Sequence, residues 1–238
     1  MKPLFAAFRQ FLRAIWQDTM LAVCLFAPIM IALVFRFGVP ALNALLGDLT
    51  GTAGILTPYY GLFDMFLSMM TPMMLAFSGV MVMLEELDDG TAKYLMVTPL
   101  RASGYLASRL MVLAVASILY NIVLLAIFSL SGISLLYNVL AAFINALVGI
   151  SIAMLVVGFA KNKVEGMALV KMSGFFVLGY VAAYFLARPL AYLAGVLPGF
   201  WLSLMVQDDH AIWALPAVLV ACGWIAQLYR RFRLRVLG

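Results

Sequence analysis

Along the 238 residues, apolar side chains occupy every helical face for roughly twenty positions at a time in six places, about 19–38, 60–84, 104–131, 134–160, 167–188 and 211–229. At 1.5 Å per residue such a run crosses a hydrocarbon core as a helix. The strands of a membrane barrel would instead alternate with a period of two. The pattern therefore predicts an all-α, polytopic membrane protein with six transmembrane helices. Residues 1–18 read differently. Leu4, Phe5, Phe8, Phe11, Leu12, Ile15 and Trp16 share one helical stripe, with Lys2, Arg9, Gln10, Arg13 and Gln17 largely opposite, the pattern of an amphipathic helix lying in the membrane interface. Pro28, Pro72 and Pro216 fall inside three of the spans and predict kinks.

Two apolar stretches do not read as spans. Residues 39–59 contain Pro40, Gly47, Asp48, Gly51, Gly54 and Pro58 and predict an external loop. Residues 189–209 are interrupted by Pro189, Gly195, Pro198 and Gly199 and end in Asp208, Asp209 and His210. Basic residues arbitrate the second case. With six spans and the N-terminus inside, all fifteen lysines and arginines except Arg36 and Arg188 fall on cytoplasmic segments, as the positive-inside rule requires. A seventh span over 189–209 would put Arg230, Arg231, Arg233 and Arg235 outside. The segment is therefore expected to form short re-entrant or external helices, with both termini cytoplasmic in the inner cell membrane.

Composition agrees, with 66% hydrophobic and 11% charged residues and a mean hydropathy of +1.11. No soluble domain is expected. The net charge of +5 fits lipid headgroups and topology; no nucleic-acid partner is expected. The basic N-terminus lacks the short core and small-residue cleavage site of a removable signal peptide. Cys24 and Cys222 lie within spans, where a thiol behaves as a small hydrophobe.

The segment 85–103 carries the information. Glu85, Glu86, Asp88 and Asp89 form an acidic cluster on a side otherwise biased towards positive charge, followed by Gly90, Thr91 and a short helix that Pro99 ends. Asp88 or Asp89 is expected to cap that helix, and Tyr94, Leu95, Met96 and Val97 to form its apolar face. An acid-rimmed apolar knob suits a cleft on another protein, and equally a solvated turn.

Glu85-Glu86-x-Asp88-Asp89-Gly90-Thr91, followed by Leu95-x-Val97-Thr98-Pro99-Leu100, resembles the E-x-x-x-G-T…L-x-x-T-P-L coupling segment of ABC type-2 transporter permeases. The surface helix, the six spans, the turn 160–166 and Pro198-Gly199-Phe200-Trp201 match that family in layout over nearly the whole chain. The resemblance implies a permease working as a homodimer or with a paralogue, each half docked on an ABC ATPase subunit. It also implies outward movement of an amphiphilic, drug-like or lipid-like substrate by alternating access. The contacts to the ATPase would be Glu85, Glu86, Asp88, Asp89, Gly90, Thr91, Tyr94, Leu95 and Pro99, with Arg9 and Arg13. Pro198, Phe200 and Trp201 would belong to the external gate. The sequence contains no G-x-x-x-x-G-K-[ST] loop, so ATP and magnesium are expected on the partner and no cofactor on this chain.

Candidate pathway residues follow from polarity at membrane depth. Met65, Met69 and Met73 form a soft stripe on the second span, better explained by packing. Asn121 and Asn145 need partners inside the third and fourth spans and read more readily as interhelical links. Asp64 and Arg188 are expected to reach towards headgroups. Glycines 149, 158, 174 and 179, with Ser151, suggest close helix contacts.

A stand-alone secondary transporter or channel is the alternative reading, although the spans are poor in the midplane charges such proteins use. An intramembrane lipid-phosphate enzyme fits worse. Asp88-Asp89-Gly90 is followed by Lys93-Tyr94 rather than Ala-Arg, and no aspartate occurs between Asp89 and Asp208. His210 is the only histidine, which rules out H-E-x-x-H zinc chemistry. No catalytic or metal-binding residue is assigned.

Overall fold

A computed structural model describes residues 9–10, 13–97 and 101–237, and among these no strand occurs. Six helical stretches are long and apolar enough to cross a membrane: Thr19–Thr50, Thr57–Asp88, Gly104–Phe128, Leu135–Phe159, Lys163–Phe185 and Ala211–Val236. The protein is therefore a multi-pass membrane protein. Residues 9–10 and 13–17 are helical, and the helix is interrupted by a bend at Asp18. Its carboxylate caps helix α1 (Thr19–Leu33) by accepting from the Met20 and Leu21 amides at 2.9 and 3.3 Å. Ile15 is buried while Trp16 is 59% exposed, so these two predicted stripe members point to different surroundings. The earlier members of that stripe lie outside the described residues.

The first span is longer than predicted. After Leu33 a π-helical stretch, Val34–Gly38, leads into α2 (Val39–Thr50) without a break. Residues 39–50 are thus helix rather than loop. Pro40 is accommodated because it enters in the first turn of α2, where a missing amide has least to lose. Gly51, at φ +69, ends the helix and donates to the Gly47 carbonyl, a left-handed stop open to glycine at little cost.

Helix α3 (Tyr60–Asp88) is the centre of the bundle, buried along most of its length. Pro72 lies inside it, and Gly149 of α6 (Leu135–Phe159) makes room beside it: a Cβ there would lie 3.1 Å from the Pro72 Cβ. Helix α4 (Thr91–Val97) is the stub after α3, and α5 (Arg101–Phe128) follows. The fifth span consists of α7 (Lys163–Met172), a tight 3₁₀ stretch at Ser173–Val177 and α8 (Leu178–Phe185). The last helix, α11 (Ala214–Leu237), packs along α6, with Gly158 against the backbone of Phe232. Pro216 falls in the first turn of α11, so the kink expected there is unnecessary. A Cβ at Gly174 would meet nothing within 4 Å, so this glycine marks no close contact within this chain.

Between the fifth and sixth spans come the short helices α9 (Arg188–Ala191), a 3₁₀ turn at Tyr192–Val196 and α10 (Pro198–Gln207). The chain turns back into the bundle here. The Trp224 Nε1–H donates to the Val196 carbonyl at 2.8 Å, and Trp224 lies ten residues into α11, about 15 Å along its axis. Helix α10 then climbs back along α8, Gln207 reaching the Ala183 carbonyl at 3.1 Å.

Candidate functional site

The polar end of the bundle, where α3 passes into α4, collects the charged side chains. Helix α3 runs through Asp88, so Glu85, Glu86 and Asp88 lie on its final turn rather than in a loop. Successive residues of a helix face different ways, and the carboxylates separate accordingly. Glu86 turns inwards. It pairs with Arg109 of α5, whose Nε donates at 3.1 Å and whose Nη2 also reaches the carboxylate, and it accepts from the Tyr105 hydroxyl at 2.9 Å. Arg109 is 0% exposed. It is thus not a headgroup-facing charge, and most of the Glu86 carboxylate is taken up by this chain. The pair fixes α5 against the end of α3, and with it the two anchors of α4.

Glu85 faces the other way and pairs with Lys163 at 2.7 Å; Asp18 lies 3.8 Å from the same ammonium. Asp88 accepts from the Lys163 backbone amide at 3.1 Å. Its carboxylate therefore serves the N-terminus of α7, not of α4 as the sequence suggested. Asn162 caps the same helix through the Glu165 amide at 2.9 Å, while Glu165 accepts from the Lys161 amide at 2.9 Å. This Asn-x-x-Glu spacing is close to a capping box and was legible in the sequence. Arg235 of α11 completes the rim by donating to the Lys161 carbonyl at 2.7 Å. Asp18, Tyr105, Arg109 and Lys163 are the members of this assembly that sequence reasoning passed over, because each partner is distant in the chain.

Asp89 is exposed; its backbone N–H donates to the Glu85 carbonyl at 2.9 Å, but its carboxylate makes no ion pair or hydrogen bond among the described residues. Gly90, at φ +73, turns the chain into α4. Within α4, Ala92 is buried and Leu95 packs on the core, whereas Tyr94 is 75% exposed. The expected single apolar face is thus divided, with an anchor beneath and an aromatic knob above. A cavity of about 490 Å³ opens beside it, walled by Gln10, Gln17, Asp18, Glu85, Glu86, Asp89 and Thr91. Arg9 and Arg13 are exposed near this end, and Pro99 lies outside the described residues.

The other candidates sit deeper. Met65 and Met69 are fully buried in the core and face no open path; Met73 is half-buried. Asn145 donates to the Ser68 hydroxyl at 2.7 Å and accepts from the Tyr180 hydroxyl, and Asn121 donates to the Ser68 carbonyl at 3.0 Å. Both asparagines are links between spans. Asp64 does not reach a headgroup. At 1% exposure it accepts from the Ser129 hydroxyl and from the Leu130 and Ser131 amides at 2.7–2.9 Å, holding the turn that ends α5 at Phe128. Arg188 pairs with Asp208 across the two ends of the short-helix segment 189–209.

At the end opposite the charged rim, Pro198 and Phe200 are buried and Trp201 is stacked on Trp213, ring centroids 5.6 Å apart. The Trp201 Nε1–H donates to the Gly195 carbonyl at 2.7 Å. These residues form a packed aromatic plug.

The family profile described as Fluoroquinolones export permease protein Rv2686c-like matches residues 11–230. Among curated proteins, the chain is 27% identical over 245 residues to the Fluoroquinolones export permease protein Rv2686c of Mycobacterium tuberculosis (strain ATCC 25618 / H37Rv), covering 96% of this chain and 93% of that protein. The Fluoroquinolones export permease protein MT2760 of Mycobacterium tuberculosis (strain CDC 1551 / Oshkosh) matches to the same extent. No solved structure matches the chain.

Proposed function

Because the chain belongs to the Rv2686c-like family of fluoroquinolones export permeases, we propose that it is the membrane-spanning subunit of an ATP-driven exporter. A separate ABC ATPase binds and hydrolyses ATP with magnesium, and the permease acts with a second permease copy or paralogue. Its cargo is an amphiphilic, drug-like molecule of the fluoroquinolone kind. The observation that carries this reading is the α4 knob. An exposed tyrosine stands on the stub and an aspartate with an unpaired carboxylate stands just before it, and the end of α3 from which the stub springs is tied to α5 by the Glu86–Arg109 pair. A partner that moves the knob moves the α3 and α5 ends with it. Alternating access then follows from re-sorting two permease halves while the aromatic plug around Phe200 and Trp201 controls the far side. The distribution of arginine and lysine supports an inner-membrane orientation with both termini cytoplasmic.

A stand-alone ion-coupled transporter finds less support. Among the described residues the charged side chains buried in the bundle are Asp64 and Arg109, and both are satisfied by this chain.

The test is co-purification from the native membrane in mild detergent. Wild type is expected to bring down a stoichiometric P-loop ATPase, and Asp89→Lys with Tyr94→Ala to lose it by about tenfold or more. The variant should remain monodisperse, since both side chains are exposed. A well-behaved wild type with no ATPase, or a variant that keeps it, defeats the reading.

A further inference from the structure

A second hollow lies outside the charged rim, where the first, second and fifth spans meet. Its volume is about 380 Å³, within the range of pockets that hold drug-sized molecules. Met20 and Cys24 of α1, Met73 and Phe77 of α3, and Met167 and Lys171 of α7 line it. The wall is almost wholly apolar, and Met20 is half exposed, so the hollow opens sideways to the lipid.

Two properties select an occupant. Thioethers are polarisable, have no fixed shape preference and favour contact with aromatic rings, so a wall of methionines beside Phe77 fits a flat aromatic body better than a branched aliphatic one. The only charge is Lys171. It is exposed and has no carboxylate partner among the described residues, unlike Lys163, which has two. Lys171 lies eight residues along α7 from Lys163, about 12 Å deeper. Helical side chains lean towards their N-terminus, so its ammonium is carried back along the mouth of the groove. A single cation at the edge of an apolar slot is complementary to an aromatic amphiphile with one anionic group.

We propose that this groove binds the cargo, an aromatic carboxylate whose ring system lies against the methionines and whose carboxylate is held by Lys171. The assignment rests on the exporter reading above and adds the site and the charge requirement. Fluoroquinolones, which carry a carboxylate on a fused aromatic ring, belong to this chemical class.

Cys24 makes the groove directly observable, because it lines the wall while Cys222 is exposed on the last span and serves as an internal control. The full chain in phosphatidylcholine nanodiscs is alkylated with N-ethylmaleimide, and each cysteine is followed by mass spectrometry. Ciprofloxacin is expected to slow reaction at Cys24 at least fivefold and to leave Cys222 unchanged. Its methyl ester should protect about tenfold less well, the size expected for one lost charge-assisted bond. Lys171→Met should weaken binding of the acid to the level of the ester, and Lys171→Arg should retain it. Equal effects on the two cysteines, or a Lys171→Met protein that discriminates acid from ester as wild type does, would sink the proposal. Protection by phosphatidylglycerol without protection by ciprofloxacin would also overturn it, giving the anion site to a lipid headgroup. Should Lys171→Met fail to fold, the acid–ester comparison on wild type still decides. If the partner ATPase is stimulated by ciprofloxacin while Cys24 stays unprotected, the groove assignment fails and the exporter reading stands.

Discussion

The two ends of this bundle are held by different physics. At the end of α3, charged side chains from five segments are tied through ion pairs and backbone caps, with Glu86, Arg109, Lys163, Asp88 and Arg235 as the knots. At the opposite end, helix α10 is held by shape: Gly179 and Gly199 let it approach α8, and Phe200, Trp201 and Trp213 fill the space. Ion pairs near water can be re-made with a partner's charges at small cost, whereas a packed aromatic plug has few intermediate arrangements. In the exporter reading proposed above, the first would be the end that is pushed and the second the end that opens or stays shut.

The comparison is broken most severely at the one place where the charged end behaves like a core. Arg109→Met leaves the largely covered Glu86 carboxylate without its cation, and up to about 3–5 kcal/mol of stability should be lost. Adding Glu86→Gln should recover most of it, since the amide still accepts from Tyr105. Thermal unfolding followed by detergent size-exclusion chromatography distinguishes the two; equal losses would mean the pair is not the anchor we describe.

A smaller effect is expected from Gly179→Ala at the plug. The new Cβ would lie 2.8 Å from the Phe200 backbone nitrogen, and overpacking of this kind costs about 1–3 kcal/mol. Hydrogen exchange should rise over 196–207 and stay unchanged over 85–97. A uniform rise along the chain would show that the plug is not a separate unit.

Least of all is expected from Lys163→Met. Its side chain is 31% exposed, and pairs of this kind contribute about 0.2–1 kcal/mol. The difference from wild type should vanish in 1 M salt, where screening reaches only about 3 Å. A loss that persists at high salt would place Lys163 with Arg109, as part of the buried scaffold.

Much of the protein is readable from local pattern. Length and hydropathy of the apolar runs determine that there are six spans, because a helix that must satisfy its own backbone in lipid has no shorter solution. That 189–209 forms short helical pieces instead of one long helix is legible in its prolines and glycines. The acidic stretch before Thr91 marks the end of the bundle that carries the α4 knob. What local pattern misjudged was continuity. Pro40 looked like a loop residue, yet the π-helical stretch before it and its place in a first turn let the helix run to Thr50. Asp64 looked like a surface charge because nothing near it in sequence could pair with it.

Only the tertiary structure decided which of four neighbouring carboxylates is a strut and which is free. Glu86 and Asp89 are three residues apart and chemically similar. The carboxylate of one meets Arg109 and Tyr105, more than fifteen residues further on, and that of the other makes no hydrogen bond or ion pair among the described residues. Likewise, whether a methionine fills the core or faces a groove depends on what the first and fifth spans bring to that side of α3. Span number is a property of each segment and its solvent. Partner choice is a property of which segments pack together, and that is set by the whole chain.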